Sequence, residues 1–175
     1  MRISPVAYFY YHAGYKRYPL IERKSLTDIR KIAEEVTIVT HNHPEGIKGA
    51  LAVTDSIVYA LSEISRDDIR KFIKNDYGYD MYRKVDDIRP GYSFDLTCQG
   101  SVSEAIICAL ESTSYEDAIR NAVSLGGDAD TQATITGSIA EAIWGIEPYI
   151  MKTALDEYIP SDVAKVLLNL YAVIA

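Results

Sequence analysis

Between Pro44 and Leu61, apolar or small side chains recur at Ile47, Ala50, Leu51, Thr54, Ile57, Val58 and Leu61. Spacing of i, i+3, i+4, i+7, sustained over about five turns, belongs to an α-helix with one face turned to a core. Pro44-Glu45 supplies the start, since proline suits a first helical turn whose N–H groups have no partner. The same grammar recurs along the chain. Ser4-Pro5 reads as N-cap and first helical residue, with Gly14 as the stop. Ser25 to Asp28 reads as a capping box leading into Ile29, Ile32, Ala33 and Val36. Ser65 to Asp68 opens a short charged helix ending near Asn75, and Ser101 to Glu104 reads as a box before Ala105, Ile106, Ala109 and Leu110. Further helices start at Ser114 and near Asp130, the latter stopped by Gly145. A last one, from Pro160, carries Val163, Val166, Leu167 and Leu170. Residues 76–97 are turn-rich and read as a surface excursion. The one β-like run, Val36 to Thr40, is short enough to finish a helix instead. The expectation is an all-α bundle, a single domain over 1–175.

Composition narrows the function classes. A chain of 175 residues buries about two-thirds of its unfolded surface, so folding requires neither disulfide nor metal. Lys and Arg number 18 against 25 Asp and Glu, a net charge of −7 that argues against nucleic acid as partner. No run approaches the ~18 apolar residues of a membrane span. Met1 to Pro5 has no secretory signal pattern, and Cys98 and Cys108 form no CxxC motif, so the expected compartment is the cytoplasm. Tyrosine is over-used: 14 Tyr stand against 3 Phe, with Tyr8, Tyr10, Tyr11, Tyr15 and Tyr18 near the start. A helix packed at a half-wet surface accounts for that, and a partner-facing aromatic patch is the alternative.

The sharpest local feature is Gly126-Gly127-Asp128-Ala129-Asp130-Thr131. Two glycines free the backbone for a tight turn. Two carboxylates and a hydroxyl follow at a helix start, a set that suits a hard cation such as Mg2+ or Mn2+. Plain helix capping competes with that reading. An EF-hand does not, because Gln132 stands in place of a third acidic ligand and Ile139 where the closing glutamate would be. Ala133, Gly137 and Ala140 then line one side of the helix with small residues, as in a central helix. A second polar segment, Thr40-His41-Asn42-His43-Pro44-Glu45, holds two of the 3 histidines. His-x-His lacks further metal partners, and a deaminase His-x-Glu would require a Pro-Cys-x-x-Cys that is absent. What stays open is an ordinary capped loop, or a loop suited to phosphate or ribose.

Four blocks, taken in order, resemble the ADP-ribosylglycohydrolase family: Met1 to Pro5; Thr40 to Gly46 with Gly49-Ala50; Cys98 to Ala105; and Ser124 to Thr131 continuing to Gly145. The resemblance runs from Met1 to about Pro148 and matches the C-terminal two-thirds of a family member. It implies an all-α fold with a two-metal Mg2+ or Mn2+ centre that hydrolyses the glycosidic bond joining ADP-ribose to a modified residue or small molecule. By the same resemblance, Asp128, Asp130 and Thr131 correspond to the C-terminal ligand triplet, Asp128 and Asp130 being the catalytic acids. His41 corresponds to a histidine near the ADP-ribose phosphates, and Gly126 and Gly127 to the turn that presents the triplet. The family's Thr-Asp-Asp-Thr and Gly-Asp-x-x-Gly motifs are absent from these 175 residues. The expectation is therefore a hydrolase that needs a complementing N-terminal polypeptide, or self-association over apolar surface. The alternative is an inactive homologue that binds ADP-ribose or a cation, or serves as a helical interaction module.

Overall fold

The computed structural model describes residues 1–12, 25–95 and 97–174. Among these residues there are ten α-helices and no strand: α1 (Ser4–His12), α2 (Leu26–Ile38), α3 (Pro44–Leu61), α4 (Arg66–Tyr77), α5 (Val85–Ile88), α6 (Cys98–Glu111), α7 (Tyr115–Ser124), α8 (Ala129–Trp144), α9 (Pro148–Thr153) and α10 (Ser161–Ile174). The all-α expectation holds, and the β-like run is the end of α2 and the turn after it. Ser25, Ser65 and Ser114 each accept a hydrogen bond from the backbone N–H three residues on. Ser25 and Asp28 complete a reciprocal box. Each such cap is worth about 1 kcal/mol.

α3, α6 and α8 form the centre, and α1, α2, α4 and α7 pack around them. Residues 52–58 of α3 are buried without interruption, as are residues 101–110 of α6. These helices are enclosed on all sides, not along one stripe. Fully buried Ile57, Ile106, Ile107 and Ile139 each contribute about 2–3 kcal/mol by leaving water. Polar ties cross the core. Thr136 Oγ1 donates to the Ala105 carbonyl at 2.9 Å, and the Tyr8 hydroxyl to the Ser138 carbonyl at 2.8 Å. Tyr11 donates to the Leu61 carbonyl at 2.7 Å. Tyr8 is buried and Tyr10 and Tyr11 half-buried, which is the half-wet packed helix. Gly14, Tyr15 and Tyr18 lie outside the described residues.

Asp55, expected from no motif, is fully buried within α3. Its carboxylate accepts from Arg30 Nε of α2 at 2.9 Å, from the same guanidinium's terminal nitrogen at 2.5 Å, and from the Tyr77 hydroxyl of α4. Asp76 takes a further Arg30 bond at 2.9 Å. One buried acid thus clamps three helices together. Its hydrogen bond raises the Arg30 guanidinium above its ordinary range, and burial raises the Tyr77 phenol.

Three expectations need correction. Val6 N–H donates to the Ile3 carbonyl at 3.0 Å, so Ser4 lies in the first turn of α1 instead of capping it. Ser101 to Glu104 is not a helix start: Thr97 caps α6, its hydroxyl accepting from Gly100 N–H at 3.1 Å, and the supposed box lies inside the helix. Residues 76–97 are no mere surface excursion, because Tyr79, Met81, Val85 and Ile88 all enter the core. On the last helix Val163 and Val166 are 46% and 67% exposed. That helix lies at the periphery, against α1.

Candidate functional site

α7 ends at Ser124, and Gly126 and Gly127 follow with φ of +79° and +64°. Two successive left-handed residues reverse the chain, and glycine alone takes that conformation without a Cβ penalty. The two differ in surroundings. A Cβ on Gly126 would meet nothing within 4 Å. One on Gly127 would lie 3.1 Å from Phe94 Cα, from the Ser93 carbonyl oxygen and from the Tyr92 ring. Residues 92–94 therefore rest directly on the turn. Gln132, fully buried in α8, reinforces the contact by donating from Nε2 to the Tyr92 hydroxyl at 2.5 Å.

The turn delivers Asp128 to the N-cap position of α8, yet its side chain makes no capping hydrogen bond. It lies instead within hydrogen-bond reach of Asp130. Asp130 is held below its ordinary carboxylate value by Asp128 first and by the Thr131 backbone N–H second, the latter at 2.9 Å. An aspartate at an N-cap normally accepts from the first turn. Carboxyls set side by side repel unless a proton or a cation sits between them. Capping thus leaves the Asp128 carboxylate unexplained, whereas the chemistry of the set, two carboxylates and the Thr131 hydroxyl, fits a hard divalent cation. Among the described residues no group of three or more His, Cys, Asp and Glu gathers into a metal cluster. The triplet alone could provide only part of a coordination sphere.

Asp128 and Thr131 line a cavity of about 500 Å3. Its walls come from segments far apart in sequence: Met1, Arg2 and Ile3; Thr37 of α2; Thr40 and His41; Gly46, Gly49, Ala50 and Val53 of α3; Cys98, Ser101 and Val102 of α6; and Ile135 of α8. α3 and α6 meet closely here because Gly49 has no side chain. A Cβ there would stand 3.2 Å from Cys98 Cβ and from Val102. Burial pushes the Cys98 thiol above its ordinary range.

Of the residues singled out from sequence, Asp128, Thr131 and His41 line the cavity, and Asp130 adjoins it through Asp128. Gly126 and Gly127 do not reach it; they shape the turn behind the triplet. His43 is the N-cap of α3, its Nδ1 accepting from Glu45 N–H at 3.2 Å, so the two histidines of this loop have separate tasks. Sequence reasoning named Arg2 and Thr40 only as members of their segments and gave neither a role of its own. The Arg2 guanidinium donates to Thr40 Oγ1, which lies 2.7 Å from His41 Nδ1. The signal was present only as an arginine beside Met1 and a threonine beside His41, two positions that nothing linked before the fold brought them together.

A family model described as ADP-ribosylglycohydrolase matches residues 1–171. No curated protein matches the chain.

Proposed function

The chain belongs to the ADP-ribosylglycohydrolase family, and from that premise we propose that its cavity takes an ADP-ribosyl group and that Asp128, Asp130 and Thr131 hold the divalent cation its hydrolysis requires. The observation that carries this reading is convergence. The segments at 1–3, 40–50, 98–102 and 128–131, which bear the resemblance, meet around one cavity.

Each wall has a task. Asp128 and Asp130 concentrate negative charge at one end, where Mg2+ or Mn2+ would bind, with Thr131 adding a neutral oxygen. The chemistry such cations supply when bound is stabilisation of charge on the ribose oxygens and activation of a water. His41 and Arg2 set donors and positive charge on another wall, suited to a diphosphate. Gly46, in the first turn of α3, sits against His41: a Cβ there would lie 3.5 Å from the His41 Cβ and carbonyl oxygen. Ile3, Val53, Val102 and Ile135 are buried apolar neighbours that keep the cavity partly dry. The triplet accounts for only part of the coordination of two cations, so the proposal includes further acidic ligands from a polypeptide segment carrying the family's Thr-Asp-Asp-Thr motif.

The test is release of ADP-ribose from ADP-ribosylated protein with Mg2+ or Mn2+, with and without such a polypeptide. The expected result is little turnover by this chain alone, turnover on complementation, and none with Asp130→Ala. Robust turnover by the isolated chain that Asp130→Ala abolishes would overturn the shared-ligand part. Turnover indifferent to Asp130→Ala would overturn the site. A second reading, binding without turnover, is favoured by the same incomplete ligand set. It predicts that ADP-ribose binds and that complementation restores nothing.

A further inference from the structure

We infer that Arg2 and Thr40 act as a positioning pair that fixes the tautomer of His41, leaving its Nε2–H to donate into the cavity. The recognition role, donation to an anionic oxygen of the ligand, rests on the ADP-ribosyl reading above; the tautomer assignment does not.

The argument is proton accounting. A guanidinium can only donate, a threonine hydroxyl has one proton and two lone pairs, and a neutral imidazole has one N–H and one acceptor nitrogen. Arg2 donates to Thr40 Oγ1. Thr40 Oγ1 lies 2.7 Å from His41 Nδ1. Among the described residues these are the only partners of that hydroxyl. Were the imidazole proton on Nδ1, Oγ1 would accept from both Arg2 and His41, and its own proton would have to turn to solvent, since among the described residues no other acceptor is in reach. With the proton on Nε2, every group is matched: Arg2 to Oγ1, Oγ1–H to Nδ1, and Nε2–H left over. The Arg2 charge also polarises the hydroxyl into a stronger donor, which favours the same arrangement. Among the described residues Nε2 has no hydrogen-bond partner, and His41 lines the cavity beside Arg2 and Thr40. The free N–H of a neutral imidazole is thereby offered to a ligand oxygen.

A structural role competes, because Arg2 also reaches the Val36 carbonyl in the last turn of α2 at 3.5 Å and so braces that helix end. Bracing makes no demand on the Thr40 hydroxyl proton. Thr40→Val removes the proton with little change of shape, and Thr40→Ser keeps it. Thr40 is exposed, so both variants should fold.

The experiment is 15N spectroscopy of the histidine side chains in the full chain, without ligand, at a pH where imidazole is neutral. The chain has 3 histidines, and His41→Gln identifies the signal. The expected result is one tautomer, protonated at Nε2 with Nδ1 accepting, in the wild type and Thr40→Ser, giving way to a tautomer mixture in Thr40→Val. A wild-type proton on Nδ1, or a spectrum unchanged by Thr40→Val, overturns the assignment. A second arm titrates ADP-ribose. Thr40→Val should bind roughly tenfold more weakly and Thr40→Ser like the wild type, the loss expected for one misdirected bond to a charged group. Equal affinities despite a moved tautomer overturn the recognition role. The expected tautomer with no ADP-ribose binding in any variant supports the pair and overturns the ADP-ribosyl reading, so the two failures are distinguishable.

Discussion

Replacing Gly126 and Gly127 separately by alanine tests whether the turn behind the acidic triplet is built as described. Both residues have positive φ, so either alanine incurs the left-handed strain of about 1–2 kcal/mol. Alanine also restricts the unfolded chain, which offsets about 0.4–1 kcal/mol of that. Gly126 faces open space, so Gly126→Ala should cost about 1 kcal/mol or less in total. At Gly127 the new methyl would press on backbone atoms of Phe94 and Ser93 and on the Tyr92 ring, all at 3.1 Å. Backbone gives way less readily than a side-chain tip, and overpacking adds about 1–3 kcal/mol. Gly127→Ala should therefore cost about 3 kcal/mol. For a chain of this size each kcal/mol moves Tm by about 2–4 °C, so the expected losses are about 2 °C at Gly126 and about 8 °C at Gly127. Urea titration of both variants, with the slope m unchanged, gives the same ordering independently. Equal losses, or a larger one at Gly126, would refute the packing of residues 92–94 against the turn.

Other consequences follow from the geometry. Asp55→Ala leaves Arg30 and Tyr77 facing a buried vacancy; because Arg30 is one-third exposed and keeps Asp76, the expected cost is about 3 kcal/mol by urea unfolding, near the low end for breaking a buried pair. A cost under about 1 kcal/mol would mean that the clamp behaves as a surface pair. Glu141 is raised above the ordinary carboxylate range by burial, against a lowering bond from Tyr171. Its folded state therefore holds a proton more tightly than the unfolded chain, and stability should fall as pH rises from about 4 through the raised value. Glu141→Gln should remove that slope, so the two proteins converge at acid pH and diverge at neutral pH, and parallel curves would contradict it. Asp128 makes no capping bond and faces Asp130, so Asp128→Asn should leave metal-free stability unchanged or slightly raised. A clear loss would restore the capping reading. Val163 and Val166 project from α10 into solvent, so sedimentation should reveal concentration-dependent self-association that Val166→Glu weakens without unfolding. A compact monomer at high concentration in both proteins would contradict that.

The helices were legible because their starts are written locally. Serine caps at 25, 65 and 114 and the proline at 44 act within one turn, and each stands where it was expected. Errors arose where tertiary context decides. Ser101 to Glu104 has the pattern of a box, but Thr97, four residues before Ser101, captures the N-terminus first. Turn residues between 76 and 97 hide the four apolar side chains that reach the core. Val163 and Val166 have core spacing on a helix with too few neighbours to cover them. In the candidate site, Asp128, Thr131 and His41, which line the cavity, could be singled out from sequence because their motifs are contiguous. Arg2 and Thr40 were not, since their meaning lies in a contact across 38 residues of sequence. Asp55 was hidden for the same reason: an acid in an apolar stripe reads as an exception until Arg30 and Tyr77 are seen closing on it.

The most direct test of the account is calorimetric titration of ADP-ribose into the full chain in the presence and absence of Mn2+, repeated with Asp130→Asn. The triplet-and-cavity account predicts saturable one-site binding that Mn2+ strengthens, with the Mn2+ dependence lost in Asp130→Asn while the fold persists. Absence of binding with millimolar Mn2+, or binding with the same Mn2+ dependence in Asp130→Asn, would contradict it.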